Sequence, residues 1–386
     1  MLFQKTPLSE AQWKLYNLEG EHNFRWVHLL GCATKSPYKL SSANFAPAEV
    51  VHEISEAGQF AEFVDTSISP KLLWNNLELL CRPKFPLEEY NAIKGATLVS
   101  AFRDTAAGLP GSVVYRPDKK QLVVAFSGTG NNTQALHDLD ARLVNYPYAT
   151  NGASCKVHAG FLRMYNGARE SAFAGLRKGL KEYETREIMV TGHSLGGALS
   201  FLFVTELLAN RGMHGNAEDL LKDISVKLFT FGAPRTGNNL MVGFYKETVH
   251  KIRKERGEDC FQDYSVRGHN DGVPSLPPKI FGFRHFPVAN LFFLHHGCLY
   301  KVPSTEIECS DFHVDHDEEG YLPASVLHPR GGHNYYNVRD MERLGRMMHW
   351  IDSDPETGQL KEGWEKVYLD KLAEELGKKA EEGRIC

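Results

Sequence analysis

The spacing of apolar residues along the chain changes near residue 96. Before that position apolar side chains recur at helical intervals, whereas after it short β-branched and aromatic runs alternate with helical segments. The first pattern predicts helices over Ser9–Leu18, Ala48–Phe63 and Pro70–Cys81. We therefore expect a mostly helical N-terminal extension over residues 1–95 that packs on a core formed by the following residues.

Three short apolar runs open the second part of the chain. They are Ala96–Phe102, Ser112–Tyr115 and Gln121–Phe126, and they are separated by Gly108–Gly111 and Arg116–Lys119. Runs separated by Gly, Pro and Asp are typical of strands joined by tight turns. The pattern predicts antiparallel strands at the start of a sheet.

Further along, predicted strands alternate with predicted helices. The strands are Ile188–Thr191, Val226–Phe231 and Asp263–Arg267, and the helices are Ala159–Leu180, the segment after residue 194, and Phe244–Arg256. Such alternation is typical of an α/β protein, in which a mixed, mostly parallel sheet is flanked by helices and the site lies at the carboxyl ends of the strands. We expect this core over residues 96–350 and a charged helical tail over residues 351–386.

The composition excludes some classes of protein. A net charge of −4 gives no electrostatic basis for nucleic-acid binding. No apolar run approaches the roughly 20 residues of a membrane helix, and the N-terminus lacks the apolar centre of a secretory signal. The seven cysteines are odd in number and never spaced as C-x-x-C, which favours reduced thiols. We expect a cytoplasmic protein without an obligate protein partner; secretion is the alternative if a leader has been removed.

The pentapeptide Gly192–Gly196 reads G-x-S-x-G between a predicted strand and a predicted helix. In this arrangement the serine sits on a sharp turn with its hydroxyl exposed. Glycines on both sides leave space for the turn and for the strained backbone of the serine. The context predicts Ser194 as a nucleophile; the alternative is a glycine-rich junction with an incidental serine.

A serine nucleophile needs a histidine that takes its proton and a carboxylate that orients the histidine. In one large class of serine hydrolases these residues follow in the order serine, acid, histidine. Asp271 follows a predicted strand and precedes a proline-rich loop, so it is the best acid, with Asp263 as the alternative. His333, on a loop that starts with glycines, is the best histidine, and His328 is its main rival.

Other histidines are weaker candidates. His313 and His316 lie in an acidic segment whose side chains suit a metal, although a surface loop explains the same alternation. His295 and His296 follow an apolar run, Val288–Leu294, and are expected to be structural. We expect no metal and no organic cofactor.

A serine nucleophile that attacks a carbonyl group also needs backbone amides that stabilise the developing oxyanion. One is the amide of Leu195, directly after the nucleophile. The other is expected from the loop Phe126–Asn132, where Thr129 offers its amide and its hydroxyl. The alternative for this loop is an ordinary Gly-Asn hairpin turn.

Six short motifs follow one another in a fixed order. They are Val124–Thr129 (VAFSGT), Val157–Phe161 (VHAGF), Gly192–Ala198 (GHSLGGA), Thr230–Asn238 (TFGAPRTGN), Asp271–Pro278 (DGVPSLPP) and His333–Tyr336 (HNYY). Together they resemble the class 3 lipases, the fungal triacylglycerol lipase-like branch of the α/β-hydrolases, over about residues 96–350.

The resemblance implies an α/β-hydrolase fold and a serine carboxylic-ester hydrolase, in the first place a lipase acting on acylglycerols. It implies a triad of Ser194, Asp271 and His333 and an oxyanion hole formed by Thr129 and Leu195. A soluble-ester or feruloyl-type esterase and a phospholipase share this machinery and remain alternatives. A catalytically silent, lipase-like binding or signalling protein is the alternative outside enzymes, and the intact serine, acid and histidine argue against it.

The resemblance also assigns supporting positions. His158 and Arg235 lie inside the second and fourth motifs and are structural supports by position. Ser127 stands where the family usually has an arginine before the oxyanion Gly-Thr.

Asn131–Asp140 occupies the position of a lid, and Leu136 takes the place of the tryptophan often found there. Because the segment carries few apolar side chains, interfacial activation is not expected, although transient contact with a membrane or lipid-droplet surface fits the substrate class. Ile280–Phe283 and Val288–Leu294 are expected to line or cover an acyl pocket, although a packed core strand explains the second run as well. The candidate pocket or lid residues are Leu136, His193, Phe281 and Phe283.

Overall fold

The structure is a computed structural model and describes residues 34–65, 68–128, 140–149, 154–209, 221–269, 271–295, 297–315, 332–336, 339–354 and 357–381. The helices are α1 (Ala48–Val64), α2 (Pro70–Asn75), α3 (Leu77–Leu80), α4 (Ala159–Glu182), α5 (Leu195–Leu208), α6 (Asn239–Arg256), α7 (Met341–His349) and α8 (Trp364–Glu381). The strands are β1 (Lys35–Leu40), β2 (Thr97–Arg103), β3 (Pro110–Arg116), β4 (Gln121–Phe126), β5 (Leu143–Asn145), β6 (Lys156–His158), β7 (Glu187–His193), β8 (Ser225–Phe231), β9 (Phe261–Gly268), β10 (Asn290–His295), β11 (Cys298–Val302), β12 (Asp311–Val314), β13 (Tyr335–Tyr336) and β14 (Arg339–Asp340).

An eight-stranded mixed sheet organises these elements. Its strand order is β11-β10-β9-β8-β7-β4-β3-β2. The five strands from β4 to β10 in this order run parallel, while β2, β3 and β11 are antiparallel to their neighbours. The predicted antiparallel start and the predicted parallel centre are both confirmed. The carboxyl ends of β4, β7, β8 and β9 therefore meet at one edge of the sheet, where loops carry the site.

Two buried clusters lie on opposite faces of the sheet. Side chains of α4, α5 and α6 form the cluster on one face. Every residue of α5 is buried, which fits a helix that is apolar on all sides. Side chains of α1, α2, α3, α7 and α8 form the cluster on the other face. Helices from the N-terminal segment and from the C-terminal tail thus cover the same face of the sheet, while the division at residues 95 and 350 stays a prediction.

The structure differs from the predicted elements before residue 95. The prediction of a single helix over Pro70–Cys81 is wrong, because the helix is interrupted at Asn76, whose φ is −121°. The side-chain amide of Asn76 donates instead to the carbonyl oxygens of Leu72, at 2.8 Å, and Gly358, at 3.0 Å. Strand β1, which pairs in parallel with β12, was not predicted, and the helix expected over Ser9–Leu18 lies outside the described residues.

Most of the apolar run Val288–Leu294 lies in the core strand β10 (Asn290–His295), which confirms the packed-strand alternative. Leu291 and Phe293 face one buried cluster, whereas Phe292 faces the other. A strand buried on both faces of a sheet needs a continuous apolar sequence, which explains the run.

Among the residues that the structure describes, no helix is long and apolar enough to cross a membrane. The five cysteines in that part of the chain are not bonded to one another.

Candidate active site

Ser194 lies at the junction of β7 and α5, at the carboxyl edge of the sheet. Its backbone has φ 54° and ψ −125°, a conformation that costs a non-glycine residue about 1–3 kcal/mol. Its N–H donates to the carbonyl oxygen of Phe231 at 2.8 Å, which holds the turn against the neighbouring strand β8. A Cβ on Gly192 would lie 2.3 Å from the backbone of Gly196, and one on Gly196 would lie 2.1 Å from the carbonyl oxygen of Phe126. Both glycines are therefore required by the close packing of the turn.

Three side chains from distant parts of the chain form one hydrogen-bonded series. The Ser194 hydroxyl lies 2.7 Å from Nε2 of His333. Nδ1 of His333 lies 3.1 and 3.0 Å from the two carboxylate oxygens of Asp271. Because an ionised carboxylate only accepts, Nδ1 carries the proton and Nε2 is left to accept from the serine. The three residues predicted as nucleophile, base and acid are brought together.

Asp271 is fully buried and is held by further donors. Tyr336 donates its hydroxyl to Oδ2 at 2.5 Å, and the N–H of Val273 donates to Oδ1 at 2.9 Å. Burial alone raises the pKa of Asp271, but His333, Tyr336 and the Val273 amide outweigh it and leave the pKa below its ordinary value. The carboxylate therefore stays ionised. The role of Tyr336 was not predicted, although the residue stands in the sixth motif.

The pKa of His333 is lowered. Burial is the largest cause, and His193 beside it lowers the pKa further, while Asp271 raises it. A neutral imidazole at neutral pH is the state in which a histidine accepts a proton from serine.

The first candidate donor for an oxyanion is well placed. Leu195 is the first residue of α5, so its N–H has no acceptor within the helix and points out from its N-terminal end. The end of β4 approaches the same point, because a Cβ on Gly128 would lie 3.3 Å from Cβ of Ser194. Thr129, the second predicted donor, lies outside the described residues, as does Leu136 of the expected lid.

His193, which was expected among pocket or lid residues, makes hydrogen bonds to two other parts of the site. Its ring is buried and its Nε2 donates to the backbone carbonyl oxygen of His333 at 2.7 Å. Its Nδ1 lies 3.2 Å from Oδ2 of Asp65, at the end of α1. The participation of Asp65 was not predicted, because no local pattern connects it with the strands that carry the site.

Phe281 and Phe283, the other expected pocket residues, differ in their exposure to solvent. Phe283 is buried, with its ring 5.6 Å from the ring of His158. Phe281 is 64% exposed and its neighbour Ile280 is 85% exposed. A pair of adjacent exposed apolar side chains of this size is the kind of feature that contacts an apolar partner.

Arg235 and His158 have the contacts of supporting residues. The buried guanidinium of Arg235 pairs with Glu308 at 2.6 Å and donates to the carbonyl oxygens of Ser275 and Pro277, in the loop after Asp271. His158 precedes α4 and accepts from the N–H of Phe161. Burial lowers the pKa of His158 to about 4, so it is a neutral acceptor.

The metal candidate in the acidic segment is only partly described. Nε2 of His313 lies 2.8 Å from Asp315, while His316 and the rival base His328 lie outside the described residues. Within the described ranges, no three His, Cys, Asp or Glu side chains are grouped as metal ligands.

A parallel sheet that presents a strand–serine–helix elbow at its carboxyl edge, with a histidine and an acid on later loops, defines the α/β-hydrolase fold. Residues 123–281 match the family model described as Lipase (class 3), so over this segment the chain is similar to the class 3 lipases.

The chain is also similar to individual lipases. The chain is 26% identical over 244 residues to a lipase from Rhizopus niveus, a match that covers 60% of this chain and 55% of the relative. It is 31% identical over 176 residues to a secreted mono- and diacylglycerol lipase from Malassezia restricta, covering 45% of this chain and 52% of the relative. The chain thus spans about half the length of these relatives.

Among solved structures, the lipase from Rhizopus microsporus var. chinensis superposes with a TM-score of 0.55 at 23% identity, covering 77% of this chain and 90% of that one. This similarity shows the fold.

Proposed function

We propose that the protein is a serine hydrolase of carboxylic esters that acts on acylglycerols. The observation that carries the proposal is the 2.7 Å contact between the Ser194 hydroxyl and Nε2 of His333, whose other nitrogen is held by Asp271. This geometry lets His333 remove the serine proton as the hydroxyl attacks.

In the first half of the reaction Ser194 Oγ bonds to the ester carbonyl carbon and its proton passes to Nε2 of His333. The carbonyl oxygen becomes an oxyanion, which the N–H groups of Leu195 and Thr129 stabilise. His333 then gives the proton to the leaving alkoxide. The C–O bond breaks, the alcohol departs, and an acyl-serine remains.

In the second half His333 takes a proton from water, and the water oxygen attacks the acyl carbon. The same N–H groups stabilise the second oxyanion. Its collapse breaks the bond to Ser194 Oγ, which recovers its proton from His333 and releases the carboxylic acid. Every proton in these steps moves between Ser194, His333, water and the substrate.

Acylglycerols are favoured as substrates by the family and by the described function of the Malassezia relative. Exposed apolar side chains at Ile280 and Phe281, directly beside the positive charge of Lys279, support a contact with the surface of a lipid aggregate.

The site of action is proposed to be outside the cell. The cytoplasmic expectation has no support from the comparisons, whereas the name of the Malassezia relative describes a secreted enzyme. Fractionation of a culture of the source cells, with detection of the protein in the medium, tests this proposal. Recovery only inside intact cells contradicts it.

The proposed activity is tested by hydrolysis of p-nitrophenyl esters from acetate to oleate and of emulsified diacylglycerol and triacylglycerol. We expect turnover that vanishes in Ser194→Ala and falls by three decades or more in His333→Ala, because the triad acts as a unit. Equal rates in wild type and Ser194→Ala overturn the proposal. Activity confined to short soluble esters identifies a soluble-ester esterase, and failure of a fluorophosphonate probe to label Ser194 identifies a silent binding protein.

A further inference from the structure

Asp65 connects the end of α1 with two loops of the site. Its Oδ1 accepts from the backbone N–H of Gly128 at 2.5 Å and from the hydroxyl of Ser127 at 2.8 Å. Its Oδ2 lies 3.2 Å from Nδ1 of His193, and the Asp65 side chain is 9% exposed. One side chain from the N-terminal segment therefore contacts both the end of β4 and the residue before the nucleophile.

The partners of His193 determine its charge. Nε2 faces the carbonyl oxygen of His333 at 2.7 Å, and Nδ1 faces the carboxylate of Asp65. Both groups only accept, and a neutral imidazole donates from one nitrogen alone, so His193 is an imidazolium. Burial lowers the pKa of His193, but Asp65, Asp271 and the His333 carbonyl raise it above its ordinary value.

The position of Asp65 is not explained by the stability of α1. A helix C-terminus carries partial negative charge, so a carboxylate there is unfavourable unless it has partners elsewhere. The last turn of α1 contains no basic residue. The helix itself is fixed independently, since Ala92 N–H donates to Gln59 and Tyr90 donates to Glu62. Asp65 thus projects from a rigid support towards the site.

We propose that Asp65 is a positioning residue for the hydrolytic reaction, an inference that rests on the proposed function. Its carboxylate holds Gly128, which directly precedes the proposed oxyanion residue Thr129 in the sequence, beside Ser194. Through His193 it also holds the backbone of His333 in place. Displacement of either loop misaligns the proton acceptor or the oxyanion donors, so the loss falls on the chemical steps rather than on substrate binding.

The ion pair also influences His333 electrostatically. The described charged groups that face His333 are Asp271, His193 and Asp65, and the rings of His193 and His333 have centroids 4.6 Å apart. His193 lowers the pKa of His333 more than Asp65 raises it. Loss of the Asp65 carboxylate also removes the main group that raises the pKa of buried His193, so His193 becomes neutral as well. With both charges gone, the pKa of His333 rises, and the acid limb of activity moves to higher pH.

The test compares kcat, KM and the pH profile of kcat/KM for wild type, Asp65→Asn and Asp65→Ala with a soluble ester. Asp65→Asn keeps an oxygen that accepts from Gly128 but removes the charge. We expect kcat to fall about tenfold, KM to change less than about threefold, and the acid limb to shift to higher pH. Asp65→Ala also removes the acceptor, so its kcat falls further.

Glu56→Gln is the matched control. Glu56 lies on the same helix and forms a buried ion pair with Arg116 at 2.9 Å, but it has no contact with the site. We expect this variant to have a lower Tm with an unchanged pH profile. Wild-type kcat and pH profile in Asp65→Asn, or the same changes in Glu56→Gln, overturn the inference.

Two further outcomes are decisive. If Asp65→Asn does not fold, Ser127→Ala removes the hydroxyl that lies within hydrogen-bonding distance of Asp65 and of the carbonyl oxygen of Gly128, and an unchanged kcat in that variant overturns the inference. If wild type and Ser194→Ala are both inactive towards every ester, the proposed function has failed. If wild type is active and the Asp65 variants have the kcat and pH profile of wild type, the inference has failed while the proposed function stands.

Discussion

The hydroxyl of Tyr336 lies between the acid of the site and the strand that carries it. It donates to Oδ2 of Asp271 at 2.5 Å and accepts from the N–H of Gly268, the last residue of β9, at 2.9 Å. Asp271 is thereby tied to its own strand by a side chain that lies 65 positions further along the sequence. The orientation of the acid depends on this contact as well as on His333.

Tyr336→Phe removes both hydrogen bonds without changing the shape of the ring. Because a hydrogen bond to a charged group contributes about 1.5–3 kcal/mol, we expect unfolding in urea to report a loss of that size. The pKa of Asp271 rises, and kcat/KM falls roughly tenfold, since the carboxylate loses a partner that fixes its orientation. Unchanged kcat/KM together with unchanged stability contradicts this role.

The lowered pKa of His333 predicts the pH dependence of hydrolysis. The base must be neutral, so kcat/KM is constant above the pKa and falls as the pH decreases through it. Burial and His193 place this pKa below the ordinary value, so the midpoint of the acid limb is expected below about pH 6.5. A rate profile from pH 4 to pH 9, with an ester that does not titrate, measures it. A midpoint above that value contradicts the prediction.

Gly232→Ala places a methyl group against the acid. The residue has a φ of +57°, and a Cβ there would lie 2.7 Å from Oδ2 of Asp271 and 2.8 Å from the hydroxyl of Tyr336. We expect the carboxylate to move and kcat to fall by about 10²-fold, as misplacement near 1 Å does in enzymes. Steady-state kinetics on folded protein provide the measurement.

Gly108→Ala is the control for backbone strain. Gly108 has a similar φ of +73°, but its added Cβ would have no atom within 4 Å. The two variants share a conformational cost of about 1–2 kcal/mol, so only the steric effect separates them. Equal activities in the two variants contradict the predicted displacement of Asp271.

Arg235→Met removes the cation that ties the loop after Asp271 to Glu308. Since Arg235 is fully buried and the change leaves Glu308 without its cation and the carbonyl oxygens of Ser275 and Pro277 without the guanidinium donor, we expect a loss of roughly 3–5 kcal/mol. Denaturant unfolding measures the change.

The control for Arg235 is Arg186→Ala, at an exposed pair with Glu184 in which the closest atoms are 3.8 Å apart. Exposed pairs contribute little because water screens them, so its unfolding midpoint stays that of wild type. A loss in Arg235→Met no larger than in this control contradicts the supporting role.

Most of the sheet was predictable from local sequence. Strand β4 has the predicted bounds Gln121–Phe126, and β7, β8 and β9 extend the predicted runs by one to three residues. These strands can be recognised from the sequence because strands buried on both faces are continuously apolar. The break of the predicted helix at Asn76 could not be predicted from local sequence, because Asn76 donates a hydrogen bond to Gly358, which lies near the other end of the chain.

The candidate site was predictable in its order of residues but not in its support. Ser194, Asp271 and His333 each stand in a local context that indicates their chemistry, and the structure brings them within hydrogen-bonding distance. Asp65 stands in no such context. It reaches Gly128 and His193 only because α1 packs across the sheet, an arrangement that local patterns do not contain.

The sequence by itself determined the elements whose causes are local: strands set by apolar periodicity, and an elbow that requires glycine at two positions around Ser194. Tertiary structure alone decided the contacts of Asp65 with His193 and of Tyr336 with Asp271. The physical reason is that hydrogen bonds between distant segments depend on how helices dock on the sheet. That docking follows from the burial of many apolar side chains together, and no short stretch of sequence specifies it.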